Sequence, residues 1–175
     1  MTPLEEVLCG RDERAAGQRE WLARGGAFVV QIALNIPGYP KSAPHDEAAV
    51  MRFRSLLLES SKALPFAERS IRNGAGFCWQ GAFDAARFDA ASVKRAAVEA
   101  ENGTPAGRVL DIDVITENGA ISRTSAGFPE RSCLLCGRSA KVCARLGTHL
   151  LSEVRECALR LLEEEASEAG SVQQK

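Results

Sequence analysis

Aromatic residues make up only 6% of this 175-residue chain, and its formal charge is −1. Proteins that coat nucleic acid rely on basic surfaces with interleaved aromatics, so this balance argues against an RNA-binding protein while leaving room for a local basic patch. No apolar run approaches the roughly 20 residues that span a bilayer. The segment Met1 to Arg14 is charged and lacks the apolar stretch of a signal peptide. The expectation is a cytoplasmic protein with no membrane and no nucleic-acid partner. Internal repeats, low-complexity tracts, a P-loop and a dinucleotide fingerprint are all missing. The length suits one domain with one sizeable core.

The coarse reading alternates helices and strands. Pro3 to Arg24 forms a helix, with Leu4, Val7, Leu8, Ala15 and Leu22 at compatible spacing, stopped by Gly25-Gly26. Ala27 to Ile36 is a strand that Pro37-Gly38-Tyr39-Pro40 ends. A second helix covers Pro44 to Leu64, with Val50, Phe53, Leu57 and Leu64 as its apolar stripe. Ala75 to Phe83 is a weaker strand after an Asn73-Gly74 turn, and Ala90 to Glu101 a third helix with Val93, Ala97 and Ala100 inward. Asn118-Gly119 predicts a hairpin into a short strand near Ala120 to Ser122. Residues 123 to 147 read as a structured loop. A last helix spans Thr148 to Glu165, burying Leu150, Leu151, Val154, Ala158 and Leu161. Residues 166–175 are expected to be a disordered tail. A hairpin after the central strand favours an α+β fold: one layered domain over 1–165, with a mixed, largely antiparallel sheet flanked by helices.

That central strand is Gly107 to Ile115. Alternation puts Asp111 and Asp113 on one face and Leu110, Ile112 and Val114 on the other. The two Asp Cα atoms stand roughly 6.5–7 Å apart on strand geometry. Strand interiors are poor in Asp, and two on one face suit a hard cation that handles phosphates. The competing reading is structural, with each Asp capping a loop or pairing an Arg.

The six cysteines are too sparse for a secreted disulfide scaffold. Cys133, Cys136 and Cys143 with His149 give C-x2-C-x6-C-x5-H, four N/S ligands suited to a tetrahedral structural zinc; the alternative is reduced thiols packed in segment 131–149. Cys9, Cys78 and Cys157 fall on apolar stretches and read as small core residues. Trp21 and Trp79 read as packing, and His45 as an exposed loop residue.

The ordered motifs resemble a known family. They comprise Arg11-Asp12-Glu13-Arg14, then Pro37-Gly38 with Lys41, then Gly107-Arg108-x-x-Asp111-Ile112-Asp113-Val114 and Ser122-Arg123. The set closes with Arg131-x-Cys133-Leu134-Leu135-Cys136, Val142-Cys143-Ala144-Arg145 and His149. It is similar to the citrate lyase holo-acyl-carrier-protein synthases, the CitX family of apo-citrate lyase phosphoribosyl-dephospho-CoA transferases. The resemblance implies a nucleotidyltransferase-like fold and a donor, triphosphoribosyl-dephospho-CoA. Its phosphoribosyl-dephospho-CoA part passes to a serine of the citrate lyase apo acyl carrier protein, and pyrophosphate leaves.

On that resemblance Asp111 and Asp113 would bind Mg²⁺ and form the catalytic set with Arg108. Arg123, Arg131 and Lys41 would meet phosphate oxygens. Family members carry paired arginines where this chain has Arg123-Thr124 and Arg131-Ser132, which shifts the weight to Arg123 and Arg131 alone. A third carboxylate would come from Asp84, Asp89 or Glu99. The Arg11–Arg14 segment is either a polar helix face or a phosphate contact. Two rival functions are a transferase for the malonate decarboxylase carrier protein and a non-catalytic zinc-binding interaction module. The module would explain the cysteines but not the acid pair.

Overall fold

Alternation within three strands sets the layers of the fold, which the computed structural model describes for residues 1–172. The elements are α1 (Pro3–Ala23), β1 (Phe28–Leu34), α2 (Asp46–Ser61), β2 (Ala67–Asn73), β3 (Gly76–Phe83), α3 (Ala90–Gly103), a 3-10 turn (Ala106–Val109), β4 (Leu110–Thr116), β5 (Gly119–Ala120), α4 (Ala140–Leu146) and α5 (Leu151–Val172). The strands form one open sheet in the order β2-β3-β1-β4-β5. Every pairing is antiparallel. The mixed sheet expected from the sequence is therefore corrected. The hairpins β2–β3 and β4–β5 can only be antiparallel, and β1 runs opposite to both β3 and β4.

One sheet face carries Val30, Ile32, Phe77, Trp79, Ile112 and Val114, which pack with Val50, Phe53 and Leu57 of α2, Val93 and Ala97 of α3, and Ala158 and Leu162 of α5. Each fully buried Phe or Leu there contributes about 1.5–3 kcal/mol. The other face carries Val29, Gln31, Ala33 and the two acids of β4, and α1 lies across it. The α1 face that meets the sheet is Val7, Gly10, Arg14, Gly17 and Trp21. Gly17 allows the close approach, since a Cβ there would stand 1.1 Å from Arg69 Nη2. Leu4 and Leu8, at helix-compatible spacing in the sequence, are exposed, and two glycines and an arginine lie between Val7 and Trp21 on the face that meets the sheet.

Other expectations shift for local reasons. Strand β2 reads Ala-Glu-Arg-Ser-Ile-Arg-Asn and is half-exposed along its length. It is an edge strand, where charge prevents edge-to-edge pairing and hides the strand signal. The segment taken as a loop over 123–147 contains α4. Helix α5 begins at Leu151 and runs past Glu165 to Val172, so the expected tail overlaps it; residues 173–175 lie outside the described residues. Leu150, Leu151 and Leu64 are exposed, and so is Cys9, whereas Cys78 and Cys157 are buried. Trp21 and Trp79 are buried. His45 precedes α2 and is exposed. No helix among the described residues is long and apolar enough to cross a membrane.

The entry to β4 is crowded. A Cβ on buried Gly107 would lie 2.4 Å from the Glu101 carbonyl oxygen and 2.9 Å from that of Ala100, both backbone atoms that cannot swing away. Gly107→Ala should therefore cost about 1–3 kcal/mol, read as a lower urea midpoint at unchanged slope. A midpoint equal to wild type would show that this junction is not close-packed.

Candidate active site

Helix α1 crosses β1, β3 and β2 but leaves the β4 side of the same face open. The uncovered strip becomes a cleft of about 440 Å³. Its floor is Gln31 and Ala33 of β1 and Asp111, Asp113 and Ile115 of β4. Cross-strand register puts Gln31 opposite Asp113 and Ala33 opposite Asp111. The wall is α1, through Val7, Arg11, Arg14, Ala15 and Gln18, a spacing that keeps all five on one helical face. Asn35 and Lys41, from the segment after β1, complete the rim.

The charges in this cleft are segregated. Asp111 is exposed and Asp113 largely buried. Burial, and then the negative charge of Asp111, pushes the Asp113 carboxyl up to about 6. Facing them are three cations without ion-pair partners among the described residues. Arg14 is only 6% exposed; its Nη2 donates to the Gly76 carbonyl at 2.7 Å, and its Nε has no hydrogen-bond partner. Burial lowers its pKa. Lys41 Nζ donates to the Ile36 carbonyl at 2.7 Å; burial, then Arg11 and Arg155, lower its pKa. Arg11 is exposed at the mouth. A buried guanidinium with an idle donor costs free energy unless an anion reaches it. Beneath, Gln18 and Gln80 both donate to Gln31 Oε1, at 2.9 and 2.8 Å, and Arg69 donates to Gln80 Oε1, which fixes the polar floor.

The outer edge of β4 lacks a strand partner over Leu110–Ile112, and side chains replace it. Glu101, 2% exposed on α3, accepts from Ile112 N at 2.8 Å. Lys94 Nζ donates to the Ile112 carbonyl at 2.6 Å. Arg131 donates to the Leu110 carbonyl, pairs with Glu101 at 3.1 Å and reaches Asp111 at 3.6 Å. Arg123 pairs with Glu101 and donates to Asn102 Oδ1 at 3.0 Å. Glu101 thus holds β4 in place from the side opposite β1.

Of the residues singled out in the sequence, Asp111, Asp113 and Lys41 meet in one cleft. Arg131 touches Asp111 from outside it. Arg123 and Arg131 line a neighbouring groove with Glu101, engaged with that acid, and Arg108 donates through Nη2 to the Cys133 carbonyl at 2.7 Å. Asp84, Asp89 and Glu99 do not line the cleft; Asp89 caps α3 through Ala91 N and Ser92 N. Sequence reasoning missed Glu101 and Lys94, which carry no motif, and it left open the Arg11–Arg14 segment, whose i, i+3 spacing with Gln18 beyond was the available signal.

Cys133, Cys136, Cys143 and His149 also converge, their ligand atoms all within 4.8 Å of one another. Cys136 Sγ lies 3.5 Å from Cys143 Sγ and 3.3 Å from His149 Nε2. The Arg138 backbone N–H first, and His149 next, hold the Cys136 thiol down to about 6. Tetrahedral sulfur ligands about 2.3 Å from zinc stand about 3.8 Å apart, so the set fits a metal ion.

An acid pair thus faces cations without ion-pair partners among the described residues over one cleft, on an open antiparallel sheet. The chain belongs to the CitX family, the apo-citrate lyase phosphoribosyl-dephospho-CoA transferases, whose profile matches residues 2–165. A protein of that name from Citrobacter koseri is 36% identical over 152 residues, covering 86% of this chain and 83% of its own. Its counterpart from Escherichia coli O139:H28 is 35% identical over 165 residues at the same coverage, and one from Shigella boydii serotype 18 is 34% identical.

Folding raises the Asp113 pKa from 3.8 to about 6. The folded chain therefore holds this proton more tightly than the unfolded chain. The associated stability is fully present below pH 3.8 and is lost as pH rises through about 6. Asp113→Asn removes the buried charge, so at pH 7.5 its urea midpoint should exceed wild type by the equivalent of about 1–2 kcal/mol. The gain should vanish near pH 4. Equal midpoints at both pH values would show that Asp113 carries no electrostatic strain.

Proposed function

We propose that this protein transfers the phosphoribosyl-dephospho-CoA group of triphosphoribosyl-dephospho-CoA to a serine of the citrate lyase apo acyl carrier protein. The observation that carries the reading is the acid pair Asp111 and Asp113 facing Arg11, Arg14 and Lys41 across one cleft, in a chain of this family. In the reaction the serine oxygen bonds to the α-phosphorus and gives up its proton. The bond from that phosphorus to the bridging oxygen breaks, and pyrophosphate departs with the electron pair. Little covalent work falls to the protein in such a transfer; alignment and charge neutralisation dominate.

The residues divide that labour. Arg14, fixed by its bond to the Gly76 carbonyl, presents its positive charge to a phosphate at the cleft wall. Lys41 and Arg11 neutralise the outer phosphates, which become the leaving group. Asp111 and Asp113 would hold Mg²⁺; burial first, and then the charge of Asp111, raises the Asp113 pKa, and a divalent ion would relieve that repulsion. Bound there, Mg²⁺ would offset the negative charge of the triphosphate. Arg131 keeps Asp111 in place, and Arg108 and Arg123 act from the adjoining groove. Acids borne on a strand beside cations borne on a helix form the nucleotidyltransferase-like core of this reading.

Cys133, Cys136, Cys143 and His149 would hold zinc, which would tie segment 131–149 together. None of the six cysteines forms a disulfide, and we place the protein in the cytoplasm.

Incubation with apo carrier protein, donor and Mg²⁺ should add the mass of the prosthetic group to the citrate lyase carrier. Asp111→Asn and Asp113→Asn should lower that transfer at least about a hundredfold while leaving the far-ultraviolet circular dichroism of the fold unchanged. Wild-type turnover in both variants would refute their role, and no mass shift on either the citrate lyase or the malonate decarboxylase carrier would leave the binding-module reading in front. Metal analysis after dialysis without chelator should find about one zinc per chain, reduced to a trace in Cys136→Ser; a trace in wild type would remove the zinc site.

A further inference from the structure

A second concavity of about 410 Å³ adjoins the acid cleft, and Asn35 lines both. Its walls are largely apolar. Pro37 comes from the segment after β1, Leu134 and Ala144 from the Cys-rich segment, and Leu151 and Val154 from α5. Leu151 is 61% exposed, an unusual position for a large apolar side chain that has a groove to line. Arg131 and Arg108 stand at its edge. Arg131 is engaged by Glu101 and the Leu110 carbonyl. Arg108 is exposed, donates through Nη2 to the Cys133 carbonyl, and has no acidic partner among the described residues.

These features constrain a ligand. It must present an apolar, groove-filling part, carry negative charge where it passes Arg108, and be continuous with whatever occupies the acid cleft at Asn35. The group this family's name says is transferred contains dephospho-CoA, an adenine nucleotide whose diphosphate leads to a pantetheine arm. We infer that the groove takes the adenine nucleotide of the donor, with the ring against Leu134, Ala144 and Val154 and the diphosphate at Arg108. The inference rests on the transferase reading above. The acceptor needs to bring only a serine oxygen to the α-phosphorus, whereas the donor must fill the triphosphate cleft and a space continuous with it. Covalent linkage between the two ends of one donor requires both: adjacent concavities and a second cationic point. Pockets of this size with a few placed polar groups are typical small-molecule sites.

The test is titration calorimetry on the full chain with its metal retained, using dephospho-CoA, ADP and pantetheine as probes. Dephospho-CoA and ADP should bind wild type, and pantetheine should not. Ala144 is exposed on α4, so Ala144→Trp places its ring over the groove without disturbing the core. It should weaken dephospho-CoA roughly tenfold or more, and Arg108→Ala should weaken ADP by about tenfold. Asp113→Asn should keep dephospho-CoA affinity, because that ligand lacks the triphosphate. Binding of pantetheine but not ADP would overturn the assignment in favour of the arm. An unchanged dephospho-CoA affinity in Ala144→Trp, with a raised KM for the carrier protein, would overturn it in favour of the acceptor. Failure of the transferase reading is a separate result, the missing mass shift on either carrier protein, and is read without reference to these affinities.

Discussion

Strand β4 has a full-length partner on one side and almost none on the other, and the cluster around Glu101 stands in for the missing strand. Over Leu110–Ile112 the ladder groups of the free edge go to Arg131, Glu101 and Lys94 rather than to backbone. Glu101 is buried with two guanidinium partners. Removing one member of such a group strands the others, which is costlier than the worth of any single pair. The arrangement frees β4 from a neighbour that would have covered its acids. A regular strand at this position would have brought side chains over the mouth of the cleft. The two-residue β5 pairs only with Ile115 and Thr116, beyond the acids.

The same economy explains the charge pattern of the cleft. On the β4 edge Glu101 is matched by Arg123 and Arg131, whereas on α1 the buried Arg14 has no acid partner among the described residues. Arg14 sits among Gly10, Gly17 and the glutamine floor with no carboxylate to balance it. Asp113, across the cleft, has its proton affinity raised by burial and by Asp111. Isolated proteins rarely keep unmatched charge of both signs so near each other without letting the groups pair. Here the sheet holds the acids, and α1 with the segment after β1 holds the cations. Under the proposed function, a triphosphate together with a divalent ion would satisfy both at once.

Much of this was legible in the sequence where one physical signal dominated. Alternation put Asp111 and Asp113 on one face and Leu110, Ile112 and Val114 on the other, and the register with β1 agrees. The helices with strong apolar stripes, α2 and α3, fell within a few residues of their expected bounds. Legibility failed where a contact is made by residues without a stripe. Gly10 and Gly17 allow α1 to approach the sheet, a contact that the apolar spacing of Leu4 and Leu8 does not reveal. Strand β2 is charged because it is an edge. Glu101 closes the helix whose pattern was read correctly, but its role depends on Arg131, thirty residues on, and no local pattern encodes that meeting. Arg14 was visible as a motif member, yet only burial distinguishes a cation poised for an anion from one dissolved in water.

The Cys-rich segment enters the argument through Arg131 and not through chemistry at sulfur. Arg131 stands two residues before Cys133, and the Cys133 carbonyl is the acceptor that fixes Arg108. The Arg131 carbonyl accepts from Ala140 N, and Cys133 N donates to the Arg138 carbonyl, so the two ends of the ligand loop are stitched beside these arginines. The segment in which Cys133, Cys136, Cys143 and His149 converge also carries Arg131 to Leu110, Glu101 and Asp111. The acid pair and the cysteine cluster, separate in sequence, are thus linked through Arg131. Glu101 and Lys94 of α3 hold the edge of β4 together with the arginine that this segment supplies.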